Sequence, residues 1–353
     1  MAVHLWSKRL MVEALKMTWI NKFIGTTPDS LLYKKDETSK GAGDTITYGL
    51  RTQLTARGVE GDGTLEGFEE ALSIYSDAIT INQLRTAVRS AGKMSEQRVP
   101  FDVREEALSG LRDWWSDRLD TAMANQLSGN SAQTDTAYTG LQATVAPDTA
   151  HIFCGGGHDT EASLSATVTD ILKLGDIDKA VAKAKMYGKQ PDGTTDGSVP
   201  IRPIKIDGGD YYALFMHPYQ VYQLRRDTNT LQWADIQKAA MTGGEITKNP
   251  LFTGALGMYN GVVLHEWTRL PNIVTTPSSG GVTVFRRAVF AGAQAGCIAF
   301  GQGASEQPNW FEELFDYGNQ LGVAGGIIHG IKKTRFNSHD FSTIVISTYA
   351  PAP

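Results

Sequence analysis

The stretch H-I-F-C-G-G-G-H-D, residues 151–159, gathers His151, Cys154, His158 and Asp159 within one short loop, using two of the chain's seven histidines and one of its two cysteines. Imidazole, thiolate and carboxylate are the ligand types of zinc, and the spacing H-x2-C-x3-H makes a metal-dependent hydrolase using His151, Cys154 and His158 one functional reading. Structural zinc sites pair two close ligands with a second close pair, and no such pair follows elsewhere. The three glycines at 155–157 make the loop floppy, which leaves a site little preorganisation. As a phosphate cradle it also fails, since no Lys-Ser or Lys-Thr follows and no G-x-G-x-x-G opens a helix.

Other candidates fare no better. His217 precedes Pro218 at a strand-to-helix junction, where a cap is the simpler role. His265-Glu266 lacks the second histidine of H-E-x-x-H, and no G-x-S-x-G elbow occurs. Glu312, Glu313 and Asp316 lie on a strand-like segment and read as a charged face. No catalytic, cofactor-binding or metal residue is therefore assigned, and no cofactor is implied.

The surrounding chain must explain what the loop positions. Its 353 residues, 41% hydrophobic and 20% charged, suit a globular protein with a full core. Apolar runs such as 288–291 and 344–346 fall far short of the roughly 18 residues a membrane helix needs. Lys8, Arg9, Glu13 and Lys16 interrupt any secretory signal. Cys154 and Cys297 have no paired spacing, which favours a reducing compartment. A formal charge of -5 argues against a nucleic-acid reader, yet suits a protein that sits beside DNA without adhering.

Val3, Trp6, Leu10, Ala14 and Met17 recur at helical steps in residues 3–24, and the polar stretch through Lys34, Lys35 and Asp36 to Gly43 reads as an extended arm. Ile46, Tyr48 and Leu50 then alternate with Thr45, Thr47 and Gly49, a glycine-rich acidic tip spans 56–67, and Leu72, Ile74, Ala78, Ile79 and Ile81 return. This predicts a two-stranded hairpin with arms of about 10 residues, roughly 33 Å. Such a hairpin is marginal alone and needs another surface.

Residues 102–127 predict the main helix: Asp102 and Glu105 resemble a capping box, Leu108, Leu111, Trp115, Leu119, Ala122, Met123 and Leu127 keep the helical period, and Gly129 stops it. At about 39 Å with no long helical partner, it must pack on a sheet. Asp170 and Asp176 are expected to cap short helices at 171–174 and 177–187, followed by a polar loop at 189–198. Further expectations are a strand at 211–216, helices at 217–226 and 230–241, and strands at 262–267, 282–290, 310–317, 326–334 and 341–349.

This order of parts resembles the tailed-phage major capsid protein of the Hong Kong ninety-seven type fold, in the branch of N4-like podoviruses. The matching stretches, in order, are V-E-G-D-G-T-L-E-G-F-E-E (59–70), M-S-E-Q-R-V-P-F-D (94–102), F-M-H-P-Y-Q-V-Y-Q-L-R (215–225), N-P-L-F-T-G-A-L-G-M-Y-N-G-V-V-L-H (249–265), F-A-G-A-Q-A (290–295), F-D-Y-G-N (315–319) and G-I-K-K-T (330–334). The resemblance implies an α+β fold with an N-terminal arm at 1–43 and an extended loop at 44–82. It also implies a peripheral domain at 83–150 and 305–338 holding the spine helix 102–127, and an axial domain at 151–304 and 339–353.

It further implies a non-enzymatic subunit that self-assembles into hexamers and pentamers of an icosahedral head around double-stranded DNA. That head, a virion capsid, assembles in the host bacterial cytoplasm. Partners implied are a scaffolding protein, a portal at one vertex and decoration or cement proteins, with no membrane and no sequence-specific DNA contact. Only about 40 residues precede the hairpin, so a separate scaffold is expected; no lysine occurs between Lys40 and Lys93, so the hairpin cannot form the lysine cross-link some relatives use. The alternative within the fold is an encapsulin-like nanocompartment shell. On this reading residues 151–159 become a candidate hinge between the peripheral and axial domains.

Overall fold

A computed structural model of the chain describes residues 10, 13–14, 16–36, 43–51, 59–66, 75–98, 100, 102–158, 160–165, 169–187, 199–206, 209–226, 255–273, 285–301 and 309–352. The loop expected at 189–198, the helix at 230–241, and Val3, Trp6, Leu72, Ile74 and Asp159 lie outside them.

The long helix is Val103–Ser128, close to its expected bounds. Asp102 begins it by accepting from the Arg104 N–H at 2.8 Å, and Glu105 returns no bond in the expected box. Gly129 ends it in the left-handed region at φ 63°, which a side chain would disfavour. All seven expected apolar positions are buried. Asp102→Ala is expected to cost about 1 kcal/mol in urea unfolding, the usual worth of an N-cap; no change in midpoint would mean the cap is dispensable.

One sheet has eight strands, ordered Ile152–Cys154, Thr343–Tyr349, Phe285–Ala291, Gly209–Met216, Val262–Glu266 and Gly257–Tyr259, with Asn272–Ile273 and Ile204–Ile206 paired off this path. Its period-two alternation divides the core. Ala213, Phe215, Val263 and Val289 join the cluster of the long helix and N-terminal segment. Leu214, Met216, Val262 and Phe290 join a second cluster, with Ile177, Ala180, Val181, Val221 and Leu224, on the other face. Those five come from helices Leu174–Met186 and Pro218–Arg226.

The second sheet has six strands around Gln320–Lys333, which pairs antiparallel with Asn309–Phe315, Gly296–Phe300 and Asn82–Arg89. The last two of these were not expected from the sequence. Asn82–Arg89 is exposed at six of its eight positions, and its weak alternation of Leu84, Thr86 and Val88 went unread.

Several expectations need correction. Leu32–Asp36 is not a polar extended arm but a strand, parallel to Gly296–Phe300, and Leu32 is fully buried. Lys34 stays compatible with a sheet by lying over it: its Nζ is 5.5 Å from the Phe300 ring centre. Met17 is 50% exposed instead of completing the helical stripe of Leu10 and Ala14. The α-helix also ends earlier than the expected 24: Thr18 N–H and Oγ1 both bond the Ala14 carbonyl, and a 3-10 helix follows at Trp19–Phe23.

The two helices expected near Asp170 and Asp176 are one, Leu174–Met186. Asp170 instead accepts from Ser165 and Thr169, and Asp176 reaches back to the Lys173 N–H at 3.1 Å.

The hairpin is present with the expected faces. Thr45–Leu50 pairs with Tyr75–Thr80, burying Ile46, Tyr48 and Leu50 against Cys297, Ala299 and Phe341. The described ladder spans six residues per arm, against the expected 10 or so. Its base sits on the chain's own six-stranded sheet, where Lys332 Nζ bonds Asp77 and the Ala78 carbonyl.

Candidate functional site

Residues 151–155 are seated in the fold, while Gly156 and Gly157 are exposed. Ile152–Cys154 is a strand parallel to Thr343–Tyr349 at the edge of the eight-stranded sheet. A side chain on Gly155 or Gly156 would collide with Asp170, and Gly156 is left-handed at φ 70°. Gly155 and Gly156 therefore allow close approach to Asp170, whereas Gly157 is open and left-handed at φ 82°.

The three residues of the hydrolase reading do not converge. Cys154 is buried against Leu164 and Phe285, His158 Nε2 lies 3.4 Å from Asp170, and His151 turns to Asp148. Among the described residues, the group whose ligand atoms lie within 4.8 Å of one another is Asp148, His151 and His339.

Asp148 accepts four hydrogen bonds: from His151 N–H (2.8 Å), His151 Nδ1 (2.6 Å), His339 Nδ1 (2.8 Å) and Asp340 N–H (3.1 Å). That fills a carboxylate's capacity, so an ion would have to displace existing donors. Burial pushes the Asp148 carboxyl up, but the bonds and charge of His151 and the bond from His339 outweigh it and hold the group below the usual carboxylate range. The arrangement is a clamp joining the 148–151 turn to the 339–340 strand. Asp148 and His339 were missed because 191 residues separate them; the only local signal was the D-T-A-H spacing of Asp148 and His151.

A second junction centres on Arg287 of strand Phe285–Ala291, 6% exposed. Its NH1 donates to the carbonyls of Ser128 (3.0 Å) and Gly129 (2.7 Å), capping the long helix. Nε and NH2 form a two-pronged pair with Glu161 at 2.7 and 2.8 Å. Burial alone would raise the Glu161 carboxyl, yet the bonds and charge of Arg287 lower it. Close by, Lys333 and Asp340 form a buried pair at 2.7 Å.

The remaining chemistry-bearing residues have structural settings. His217 caps helix Pro218–Arg226 by accepting from Tyr219 N–H, and burial with the nearby Arg286 charge lowers it to about 4. His265 is fully buried among Trp19, Phe23 and Phe215. Glu312 pairs with Arg104 at 2.7 Å, while Glu313 and Asp316 are exposed. Cys297 is buried and its thiol is pushed up to about 12, by burial first and the Asp77 charge second, so it is no nucleophile.

Asp120 of the long helix accepts from the Trp19 (2.9 Å) and Ile20 (3.1 Å) N–H groups, tying down the N-terminal segment. Burial raises it to about 6 against the pull of those bonds. The native chain then holds a proton that the unfolded chain, with a carboxyl near 4, releases. Stability must fall as pH rises through this window, by at most about 1.4 kcal/mol per unit. Melting temperature against pH should decline from pH 4 to 6, and Asp120→Asn should flatten it; an unchanged slope in the variant would assign it elsewhere.

The outer surface carries unsatisfied apolar groups. Strand Asn309–Phe315 lies at one sheet edge with Phe311 63% and Leu314 65% exposed, and Tyr317 of the following turn is fully open. Large exposed apolar side chains along a sheet edge mark a surface made for another chain.

Comparison with known proteins supplies the context. A family described as phage capsid protein matches residues 1–352. The major capsid protein of Pseudomonas phage KPP25 is 29% identical, aligned over 98% of this chain and 94% of its own. Among solved structures, the capsid of Ralstonia phage GP4 superposes with a TM-score of 0.81 at 34% identity, covering 94% of this chain and 90% of the other. The cyanophage Pam1 capsid reaches 0.70 at 20% identity over 95% and 93%, a likeness of fold.

Proposed function

The chain belongs to the phage capsid protein family, a major capsid protein with the Hong Kong ninety-seven type fold, and from that premise we propose that it builds hexamers and pentamers of an icosahedral head around double-stranded DNA. The observation that carries this is the exposed apolar edge at Phe311, Leu314 and Tyr317, which a lone subunit would leave in water. Neighbouring copies would cover it, and also the hairpin beyond its anchored base. The role is structural and non-enzymatic. The eight-stranded sheet and its two helices serve as the axial domain, and the six-stranded sheet with the long helix as the peripheral domain, strand Gly296–Phe300 included. A scaffolding protein guides assembly in the host cytoplasm, and a portal takes one vertex. The formal charge of -5 keeps the packaged genome from adhering.

The shell is held without covalent links from the hairpin, because no lysine lies between Lys40 and Lys93. Two measurements follow. The full chain, expressed with its neighbouring genes, should sediment as closed particles; a chain that stays monomeric at high concentration would remove the reading. Mature particles boiled in detergent should run as a single monomer band, whereas slow ladders that survive reduction would contradict the non-covalent shell.

A further inference from the structure

One face of the six-stranded sheet is uncovered among the described residues. Where Gln320–Lys333 lies between Asn82–Arg89 and Asn309–Phe315, the register sets Arg85, Ala87 and Arg89 on the same side as Gly322, Ala324 and Gly326, and as Phe311, Glu313 and Phe315. The opposite side carries Leu84 and Val323 and meets the long helix. On the open side Arg85, Ala87, Arg89 and Glu313 are exposed, and Phe311 is 63% exposed. Gly322 and Gly326 leave room for the Phe315 ring and the Arg85 stem to lie over the middle strand. Arg89 rests on that ring, 4.4 Å from its centre, which holds the guanidinium in place. Lys93 and Arg98 of the helix that follows, Lys93–Arg98, are exposed as well, and residues 82–98 set these four cations against Glu96 alone.

The hairpin tip has the opposite character. Residues 59–66, V-E-G-D-G-T-L-E, hold Glu60, Asp62 and Glu66 and no cation. All three carboxylates are exposed, and Leu65 beside them is 56% exposed. The Gly63 N–H returns to the Glu60 carbonyl at 3.4 Å, with Gly61 left-handed at φ 62°, so the turn closes on itself.

The direction of the hairpin decides whose face the tip meets. Thr80 lies against Gly330, Asp77 pairs with Lys332, and Tyr75 packs on Phe336, so the ladder runs outward from the Lys332 end of the central strand. Arg89 stands opposite Gly322, at the other end of that strand, roughly 33 Å away by strand rise. The ladder carries the tip away from its own subunit's basic face, and a second copy supplies the match.

We propose that the sheet face around Arg85, Arg89 and Phe311 of one subunit receives the hairpin tip, residues 60–66, of a second copy of this chain. The tip's carboxylates meet the two arginines, and Leu65 covers Phe311; Glu313 on the far strand repels the carboxylates toward the arginine side. With the tip leaving one end of the strand and the face lying at the other, the contact is head-to-tail, which closes into a ring when repeated by rotation. The inference rests on the self-assembly reading and names where the hairpin lands.

The test is a charge swap in the full chain expressed with its assembly partners, read as the fraction sedimenting as particles. E60R/E66R and R85E/R89E should each lower that fraction at least about tenfold, and the chain carrying all four should recover to within about threefold of the unaltered protein. Normal assembly of either double variant, or a fourfold variant no better than its parents, overturns the proposal. Failure of the unaltered chain to assemble would instead strike the self-assembly reading. Should a charge-reversed chain not fold, particles are built from isotope-labelled and unlabelled copies with benzoylphenylalanine in place of Leu65, then irradiated. Mixed-label crosslinks to peptides within 82–98 or 309–317 support the contact; crosslinks only elsewhere, or none, overturn it.

Discussion

Arg287→Ala is expected to destabilise the subunit by about 3–5 kcal/mol, the usual result of removing one partner from a buried ion pair. The guanidinium is 6% exposed and meets four acceptors, two on Glu161 and the carbonyls of Ser128 and Gly129. Alanine leaves the Glu161 carboxylate buried without its cation and the long helix without its cap. The loss is chiefly the cost of that stranded charge, so the double variant Arg287→Met with Glu161→Gln should recover much of it. Urea unfolding of the native chain, Arg287→Met, Glu161→Gln and the double variant closes the cycle. A loss below about 1 kcal/mol for Arg287→Ala would mean that this junction does not join the helix to the eight-stranded sheet.

Asp148→Ala comes next, again at about 3–5 kcal/mol, because it strands the Asp340 N–H and two imidazoles that now share one carboxylate, while the His151 N–H keeps the Asp148 backbone carbonyl. Asp148→Asn keeps the shape and part of the accepting capacity, and should cost about 1–3 kcal/mol. The pH dependence has a definite sign. Asp148 lies below the ordinary carboxylate range in the fold, so its contribution is complete above the unfolded value near 4 and vanishes only as pH falls through the lower folded value. The gap between the native chain and Asp148→Asn should therefore hold steady above about pH 5 and close in stronger acid. A gap that instead widened in acid would reverse the assignment.

Elements whose apolar residues repeat locally could be read from the sequence. The long helix, the faces of the hairpin and the strands at Gly209–Met216 and Val262–Glu266 each state their period within a dozen residues or so. What escaped depends on partners remote in the chain. Asn82–Arg89 alternates only weakly, through Leu84, Thr86 and Val88, and its pairing partner Gln320–Lys333 lies more than 200 residues on. Leu32–Asp36 hid behind its polar residues Lys34, Lys35 and Asp36, and its partner Gly296–Phe300 lies far away in the chain. The loop 151–158 advertised chemistry through its residue types, yet Gly155 and Gly156 serve contact with Asp170, and His151 serves a carboxylate whose second imidazole lies 191 residues away from it. Arg287 gave no local signal at all, since helix end, sheet and Glu161 meet only in the fold.

The central claim is that this capsid subunit closes, with its own copies, into a DNA-filled shell. A cryo-electron-microscopy reconstruction of particles containing the chain tests it most directly. The account predicts rings of six and five subunits, hairpins lying across neighbouring copies, the Phe311 and Leu314 edge covered, and layered DNA density within. A shell packed with protein cargo and no nucleic acid, or subunits whose Phe311 edge faces open solvent, would contradict it.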